Sequence, residues 1–545
     1  MARGRGRRTA GRSGSSGDAP GTARRLHHDA SGAALRSAQQ SAGPTGQVDP
    51  RHRTRLFHVN PPTARTTARA LADAFLGARE WQVPALVARG RLVLDAEPDW
   101  LTDLARAAVT AWRVTPHDAP AELARVLLAV PGVFEPPVPE MVTSGEDGED
   151  DDEDGFLVWA ADEEPEGWQG ARAAAPGSPR VVRWLPAHTR MGRTPWRVAP
   201  LDDLADVAEL LATDLDHLAW YADRQGRQRA EPSGRLQLYR RHWRVRPGRV
   251  PRLLETPRPR LRTAQRVLLD RVLAPVPPHP AAHGFVTGRS AVTGAQQHVG
   301  ADVVLTMDLA AFFATVTSGR VYATLRTAGY PEPVADLLTG LLTTRATRDD
   351  LATMPPGGSD AARAHVRSAL AAPHLPQGAP SSPQLANLCA QRLDRRLAGY
   401  AAAAGAVYTR YADDLTFSGG PDVARRVGAL RHGVARIVAA EGFALQPAKT
   451  RVRGRGARQT VTGIVVNDRT SLPRRELDAL RARLTNAVRL GPSVQDLAAF
   501  DGDRGALRAH LAGRVAWVAQ VHPVRGERLA ALLAAVDWDP VDTHL

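Results

Sequence analysis

The feature that most constrains this chain is a pair of adjacent aspartates, Asp413 and Asp414, set between two short runs with strand character. Residues 406–411 and 415–418 are aromatic and β-branched with partial alternation, which predicts a β-hairpin with the acidic pair at its tip. Two neighbouring carboxylates repel each other unless divalent cations lie against them. The pair therefore predicts a metal site, and an exposed acidic turn without a metal is the alternative interpretation.

A third carboxylate, Asp308, ends an apolar run of strand length, residues 303–307. This run predicts a buried strand that carries the aspartate at its end. Two-metal phosphoryl transfer needs carboxylates that bridge a pair of cations, and Asp308 with Asp413 and Asp414 would supply them. Mg²⁺ is the expected ion because it prefers oxygen ligands, with Mn²⁺ as the alternative. The structural alternative for Asp308 is the N-cap of a helix over residues 309–313.

Two further features lie between or beside these carboxylates. The loop over residues 374–383 is dense in Gly, Pro and Ser, and Gln377 within it offers both a donor and an acceptor to a ligand. Phe312 and Phe313 follow Asp308, and on a helix one of their rings would lie over the sugar of an incoming nucleotide and exclude a 2′-hydroxyl. An ordinary loop and ordinary core packing are the alternatives.

The charge distribution predicts a polyanionic partner. The formal net charge is +14, although residues 146–166 are strongly acidic and contain no basic residue. A basic body with an isolated acidic segment favours nucleic acid as the partner, and a charged surface without such a partner is the alternative. No apolar run reaches the ~18 residues of a membrane span, so no membrane is expected.

The cysteine and lysine contents are also informative. Cys389 is the only cysteine, which excludes an intramolecular disulfide and fits a reducing cytoplasm; its apolar surroundings favour a buried side chain over a nucleophile. Lys449 is the only lysine among 71 basic residues. Arginine replaces lysine wherever positive charge suffices, so a retained lysine predicts a need for an ammonium that can release its proton. Chance retention is the alternative.

The first half of the chain divides by composition. Residues 1–60 predict a disordered basic arm, which contacts RNA non-specifically or has no role. Residues 61–140 predict a helical region of unknown role, with Ala68, Leu71, Ala72 and Phe75 on one face. Residues 141–195 predict an acidic linker, for which mimicry of nucleic acid is the minority interpretation. Residues 196–250 predict a helical and basic lead-in, whose segment 239–246 alternates cations and rings that suit either nucleic acid or a half-buried edge strand.

The motifs of the second half together resemble the reverse transcriptase family, and within it the bacterial retron-type enzymes. Their order matches the family's over residues 235–545. The matching segments are residues 257–262 (PRPRLR), 282–285 (AHGF), 288–290 (GRS), 307–308 (MD), 375–378 (LPQG), 411–414 (YADD), 449–450 (KT) and 459–463 (QTVTG).

This resemblance implies an α+β, right-hand polymerase fold with fingers and palm over residues 251–470 and a thumb over 471–545. The helical N-terminal region and the basic arm would be extensions of that fold. The resemblance also implies roles for single residues: Mg²⁺ ligation by Asp308, Asp413 and Asp414; triphosphate contacts by Arg258, Arg260 or Arg262; a nucleotide pocket at Gln377; a steric gate at Phe313; and general acid catalysis by Lys449.

The retron resemblance adds an RNA contact at Val461, Thr462 and Gly463, and a further one at His298. It implies a cognate structured RNA as template and primer, deoxynucleoside triphosphates as substrates, branched RNA-linked DNA as product, and antiphage defence with an effector protein. Residues 294–298 depart from the retron pattern, since only Ala295 and His298 match. Two alternatives therefore stay open: a bacterial defence reverse transcriptase without a branched RNA, and an RNA-binding scaffold with a vestigial polymerase centre.

Overall fold

The computed structural model describes residues 64–134, 180–185, 188–223, 226–227, 234 and 236–538. The predicted basic arm over residues 1–60 and the acidic tract lie outside the described residues. Among the helices within the described ranges, none combines the length and the apolarity that crossing a bilayer requires.

Apolar periodicity near the N-terminus produces four helices with a core of their own. These are α1 (Ala64–Leu76), α2 (Val83–Gly90), α3 (Trp100–Ala111) and α4 (Pro120–Leu128). The face predicted from Ala68, Leu71, Ala72 and Phe75 is buried in that core. The helices meet the rest of the chain at Glu332, whose carboxylate accepts hydrogen bonds from backbone N–H groups in the first turn of α4.

The lead-in contains two short helices, α5 (Leu204–Leu210) and α6 (Leu215–Ala222). The two helices are separated at Ala212, which takes a positive φ of 48° that a continuous helix does not allow. An antiparallel pair of strands follows, β1 (Tyr239–Arg244) and β2 (Arg252–Pro257).

A four-stranded antiparallel sheet forms the centre of the second half. Its strands are β3 (Val303–Asp308), β4 (Ala406–Tyr411), β5 (Asp414–Gly419) and β6 (Arg451–Gly454), in the spatial order β4-β5-β3-β6. Five of the six residues of β3 are buried, which explains its continuous apolar sequence. The predicted strand and the predicted hairpin of β4 and β5 are both present.

Ten helices accompany this sheet in the described chain. They are α7 (Pro259–Leu268), which continues into one wider turn over Leu269–Leu273, α8 (Ala291–Gln296), α9 (Ser318–Thr327), α10 (Glu332–Leu342), α11 (Arg348–Ala352), α12 (Asp360–Ala371), α13 (Ser382–Cys389), α14 (Gln391–Ala403), α15 (Pro421–Arg425) and α16 (Val427–Ala440). Side chains of β3, β4, β5 and most of these helices share one large core. In contrast, α11 and α12 pack with β2 in a smaller cluster, and α8 packs against the C-terminal part.

The C-terminal part has its own core, which joins a short hairpin to four helices. The elements are β7 (Thr460–Val461), β8 (Ile464–Val465), α17 (Arg474–Leu490), α18 (Val494–Ala498), α19 (Arg504–Val521) and α20 (Pro523–Ala534). Leu477, Leu480 and Leu484 are buried in this core, on the face that their spacing predicts. Val461 of the hairpin and Ala295 of α8 lie in the same core, which links these helices to the region of the sheet.

Candidate active site

The sheet register brings the three predicted carboxylates to one edge. Asp308 is the last residue of β3 and pairs directly with Asp414, the first residue of β5. Asp413 lies in the turn between β4 and β5, and its carbonyl oxygen accepts a hydrogen bond of 2.9 Å from the backbone N–H of Leu309. Asp308 and Asp414 lie far apart in the sequence and share an edge because β3 and β5 are antiparallel neighbours.

Burial and the neighbouring carboxylates together raise the pKa values of Asp414 and Asp308. Partial burial of the carboxylate is the main cause that raises the pKa of Asp414 to about 6, and the negative charges of Asp413 and Asp308 act in the same direction. The residue nevertheless keeps contact with solvent. Burial also raises the pKa of Asp308, aided by Asp413 and opposed by Lys449 and Arg252. A cation at this edge would relieve the repulsion between these carboxylates.

The donor set suits a hard divalent cation, because it consists of carboxylate oxygens alone. Within the described ranges, no three carboxylate, imidazole or thiol side chains already converge on one cation position. One oxygen of Asp308 instead accepts a hydrogen bond of 2.6 Å from the Nζ atom of Lys449. Asp308, Asp413 and Asp414 are therefore suitable ligands that need side-chain adjustment to bind.

Lys449 reaches the carboxylates from a single 3₁₀ turn, Pro447–Lys449, which directly precedes β6. The backbone there is tied to the same edge, since the N–H of Gln446 donates to the carbonyl oxygen of Asp308 at 2.8 Å. The Lys449 side chain is 35% exposed, against 7% for that of Asp308. The lysine therefore lies beside the carboxylates with freedom to turn toward solvent or a ligand.

A buried ion pair supports the turn that carries Asp413. Arg410, in β4, is completely buried and binds both carboxylate oxygens of Asp394 in α14, at 2.8 and 2.7 Å. Its remaining nitrogen donates to the side chain of Asn387 at 3.0 Å and to the carbonyl oxygen of Ala412 at 3.1 Å. Two helices are thereby connected to the turn through one guanidinium, a connection that the sequence motifs did not reveal.

A glycine approaches the same turn from the other side. A Cβ atom on Gly284 would lie 2.6 Å from the backbone nitrogen of Ala412, closer than real side chains come. Ala412 itself has a positive φ of 55°, which residues other than glycine rarely adopt. The Nδ2 atom of Asn387 donates to the carbonyl oxygen of Gly284 at 2.9 Å, so the same asparagine contacts both supports of the turn.

The loop with Gln377 is held against β2. The carbonyl oxygen of Gln377 accepts a hydrogen bond of 2.9 Å from the N–H of Glu255, and the buried carboxylate of Glu255 bonds to His374 at 2.9 Å and to Arg241 at 3.2 Å. Burial alone would raise the pKa of Glu255, but His374 and Arg241 lower it below its usual value. The loop backbone is therefore fixed, and the half-buried side chain of Gln377 takes no part in these hydrogen bonds.

Phe313 lies in irregular turns after β3. The alternative interpretation, in which Asp308 caps a helix over residues 309–313, is wrong, because these residues form turns and Ala311 has a positive φ of 49°. The ring of Phe313 is half-buried, with its centroid 5.8 Å from that of the buried Phe312 and 6.3 Å from that of Phe285. Its contacts thus leave part of the ring accessible to a ligand.

The three predicted triphosphate-binding arginines differ in their availability. The guanidinium of Arg258 donates to the carbonyl oxygens of Gln237 and Gly234, so it is engaged in holding the backbone before β1. Arg260 and Arg262 are exposed in the first turn of α7. Arg252, which the sequence analysis missed, lies close enough to Asp308 to lower the pKa of its carboxylate. Only its three-dimensional position distinguishes Arg252 from the other arginines of the chain.

The residues predicted to contact RNA also differ in their exposure to solvent. Thr462 and Gly463 form the two-residue tip between β7 and β8, with positive φ values of 49° and 85°. Gly463 is exposed, whereas Val461 is buried against the C-terminal helices. The expectation of direct RNA contact therefore needs correction for Val461, because its side chain faces the core.

His298 needs the same correction. It is completely buried, and its ring nitrogens bond to the hydroxyls of Ser418 and Thr409, each at 2.7 Å. Burial lowers the pKa of His298 to about 4, so the imidazole is neutral at pH 7. His298 thus joins the end of α8 to β4 and β5 rather than facing a ligand.

Polymerases bind paired divalent cations with carboxylates. Here three carboxylates lie at one edge of the sheet, with a lysine beside them. In agreement, residues 247–462 match the family model described as "Reverse transcriptase (RNA-dependent DNA polymerase)". A reverse transcriptase domain has a right-hand polymerase fold, and helices around small antiparallel sheets are compatible with it.

Individual relatives of this chain identify its group within the reverse transcriptase family. The chain is 40% identical over 349 residues to the retron Mx65 reverse transcriptase of Myxococcus xanthus, a match that covers 63% of this chain and 72% of the relative. It is 39% identical over 300 residues to the retron Mx162 enzyme of the same organism, which covers 52% and 58% of the two chains. For the retron Ec86 reverse transcriptase of Escherichia coli, the identity is 30% over 239 residues, covering 44% and 66%. The chain belongs to the bacterial retron-type reverse transcriptases and is an RNA-directed DNA polymerase.

Proposed function

We propose that Asp308, Asp413 and Asp414 bind two divalent cations, with Mg²⁺ preferred and Mn²⁺ as a substitute. The observation that carries this proposal is the direct pairing of Asp308 with Asp414 next to Asp413, which concentrates negative charge at one edge. When bound, the cations would supply activation of the attacking primer oxygen and charge neutralisation at the leaving pyrophosphate.

Lys449 acts as the general acid in this proposal. Its Nζ atom is held by Asp308 at 2.6 Å, and its partial exposure allows the ammonium to leave that contact and face the pyrophosphate. An ammonium can transfer a proton to a leaving oxygen, whereas a guanidinium retains its proton at any relevant pH. This requirement accounts for a lysine in a chain that otherwise uses arginine.

The nucleotide pocket would involve the exposed Arg260 and Arg262, the fixed loop at Gln377, and Phe313 as the steric gate. Arg258 is assigned a supporting role, because its guanidinium already binds two backbone carbonyl groups. The accessible part of the Phe313 ring would contact the sugar and reject a 2′-hydroxyl. This arrangement would favour deoxynucleoside triphosphates over ribonucleotides.

The template is proposed to be a cognate structured RNA, bound in part at the tip formed by Thr462 and Gly463. Retron reverse transcriptases among the relatives support this choice. Gly463 is exposed, and nothing lies within 4 Å of its missing Cβ, so an RNA backbone can approach closely there. The same RNA would prime synthesis and give branched RNA-linked DNA, used with an effector protein in antiphage defence.

The proposed organisation assigns fingers and palm to residues 251–470 and the thumb to residues 471–545. Residues 61–140, 141–195 and 196–250 would be a helical extension, a linker region and a lead-in. Exposed arginines on α17, among them Arg474, Arg475 and Arg481, support contact between the thumb and a nucleic-acid backbone.

Purification from the native host followed by sequencing of the bound nucleic acid tests the retron function. The wild-type protein should carry DNA joined to RNA at a branch, and Asp413→Asn should carry the RNA alone. Asp422→Asn, which alters an exposed aspartate in α15, is the matched control and should behave as the wild type. Unbranched DNA made by active enzyme would reject the retron product and favour a defence reverse transcriptase without a branched RNA.

A further inference from the structure

Phe285 is an apolar residue in an unusual position. The residue is 50% exposed, and its backbone has a positive φ of 60°, which is a rare conformation for a bulky residue. Single exposed apolar side chains are common on proteins and need no explanation. A strained backbone is less common, and it persists only where the surrounding structure fixes it.

The segment before Phe285 is fixed to the turn of the acidic pair. The N–H of His283 donates to the carbonyl oxygen of Arg410 at 2.7 Å, and Gly284 packs against the backbone of Ala412. The carbonyl oxygen of Gly284 accepts the bond from Asn387. These contacts immobilise the residue directly before Phe285.

The segment after it is fixed as well. Nη1 of Arg289 donates to three carbonyl oxygens, those of His279, Pro280 and Ala282, at 3.0, 3.0 and 2.7 Å. The N–H of Arg289 donates to the carbonyl oxygen of Val286 at 3.0 Å, which closes a tight turn. The Phe285 ring is therefore presented from a rigid backbone rather than from a mobile loop.

The ring belongs to a group of three aromatic side chains around the acidic edge. Its centroid lies 6.3 Å from that of Phe313 and 6.4 Å from that of Tyr411, the residue two positions before Asp413. The three rings come from three separate segments of the chain. Phe285 is the most exposed of them, because Phe313 and Tyr411 are each partly covered.

We propose that Phe285 contacts the base and deoxyribose of the incoming nucleotide, and that it forms the insertion site together with Phe313. The inference rests on the proposed role of the three carboxylates, since it is their edge that the ring borders. An aromatic face presented without conformational freedom suits a flat base or a sugar, and it suits every base equally. Phe285 would thus increase nucleotide affinity without selecting sequence.

Single-turnover addition of one deoxynucleotide to a primed RNA template tests this proposal. Loss of an aromatic contact to a base typically weakens binding by about 5- to 150-fold, so Phe285→Ala should raise the nucleotide Kd within that range. The Kd of the primed template, measured separately, should stay within about twofold of the wild-type value. Phe285→Tyr keeps the ring and should restore nucleotide affinity.

Val407→Ala is the matched control, because Val407 is 43% exposed and lies on β4 outside the aromatic group. It should leave both constants unchanged. If Phe285→Ala does not fold, Phe285→Leu retains apolar bulk without the ring and should still raise the nucleotide Kd. An unchanged nucleotide Kd in Phe285→Ala or Phe285→Leu, or weakened binding of the primed template alone, would overturn the inference. A wild-type protein without extension activity would reject the proposed function itself, which is a different outcome.

Discussion

The guanidinium of Arg410 lies completely buried behind the turn of the acidic pair and donates a hydrogen bond of 3.1 Å to the carbonyl oxygen of Ala412. Asp394 neutralises its charge through two hydrogen bonds. The guanidinium carbon is also 5.6 Å from the centre of the Phe312 ring, next to the proposed steric gate. Arg410 therefore connects the acidic hairpin, α14 and the aromatic residues after β3.

Removal of one partner from this ion pair should be strongly destabilising. Asp394→Asn leaves a buried guanidinium without a counter-charge, which typically costs about 3–5 kcal/mol of unfolding free energy. Urea unfolding followed by circular dichroism should show a lower midpoint for the transition of this core. Replacing both partners, as in Arg410→Met with Asp394→Leu, should recover part of the loss, because no buried charge then remains unpaired.

The comparison for this variant is Asp422→Asn, which breaks an exposed ion pair with Arg425. Exposed pairs contribute little to stability, so its unfolding midpoint should match that of the wild type. Equal midpoints for Asp394→Asn and Asp422→Asn would contradict the importance assigned to the buried pair.

Gly284→Ala should slow catalysis through the position of the turn. The added Cβ would meet the backbone nitrogen of Ala412 at 2.6 Å, so the turn or the segment beside it must move. A displacement near 1 Å can cost about 100-fold in rate, and the single-turnover rate of nucleotide addition should fall by about 10- to 100-fold. Gly399→Ala is the control, because nothing lies within 4 Å of its Cβ position in α14. Identical rates for the two variants would show that the close approach is unimportant.

His298 predicts a specific loss of stability in acid. Burial depresses its folded-state pKa to about 4 from a usual value of 6.5, so the unfolded state takes up the proton first. The stabilisation is complete above pH 6.5 and is lost as the pH falls from 6.5 to about 4, by roughly 3 kcal/mol in total. Unfolding free energies measured across this range should decline less steeply for His298→Asn. His432→Asn, at an exposed position of α16, should retain the wild-type slope.

The variant Lys449→Arg tests the role of Lys449 in proton transfer separately from its role as a positive charge. Arginine keeps the positive charge beside Asp308 but cannot release a proton, so the single-turnover rate should fall by about 100-fold or more, as for loss of a general acid. The Kd values for nucleotide and primed template should stay within a few-fold of the wild type. Arg431→Lys, at an exposed position of α16, should have no effect. A wild-type rate in Lys449→Arg would remove the general acid from the mechanism.

Local patterns in the sequence predicted the elements that carry the acidic residues. The apolar run before Asp308 and the flanks of Asp413 and Asp414 predicted β3 and the hairpin, because strand propensity and alternation act over a few residues. The apolar face of α17 was predictable for the same reason. The motif order then identified the family, which residues 247–462 match.

Contacts between distant residues were not predictable in this way. The pair of Arg410 with Asp394, and the approach of Gly284 to Ala412, depend on the packing of α14 and of residues 281–285 against the hairpin. The single sequence contains no signal for either. The motif match at His298 gave a position in the chain but no burial, and its true environment, between two hydroxyl groups, depends on the sheet.

The most direct test of the account is extension of a primed RNA template in Mg²⁺ by four proteins: the wild type, Asp308→Asn, Asp413→Asn and Asp422→Asn. If the three-carboxylate edge is the catalytic centre, the wild type and Asp422→Asn will extend the primer at equal rates. Asp308→Asn and Asp413→Asn will bind the template and yet lose at least about 1,000-fold in rate, because the cation site lacks a ligand. Extension by Asp413→Asn at the wild-type rate would contradict the central claim.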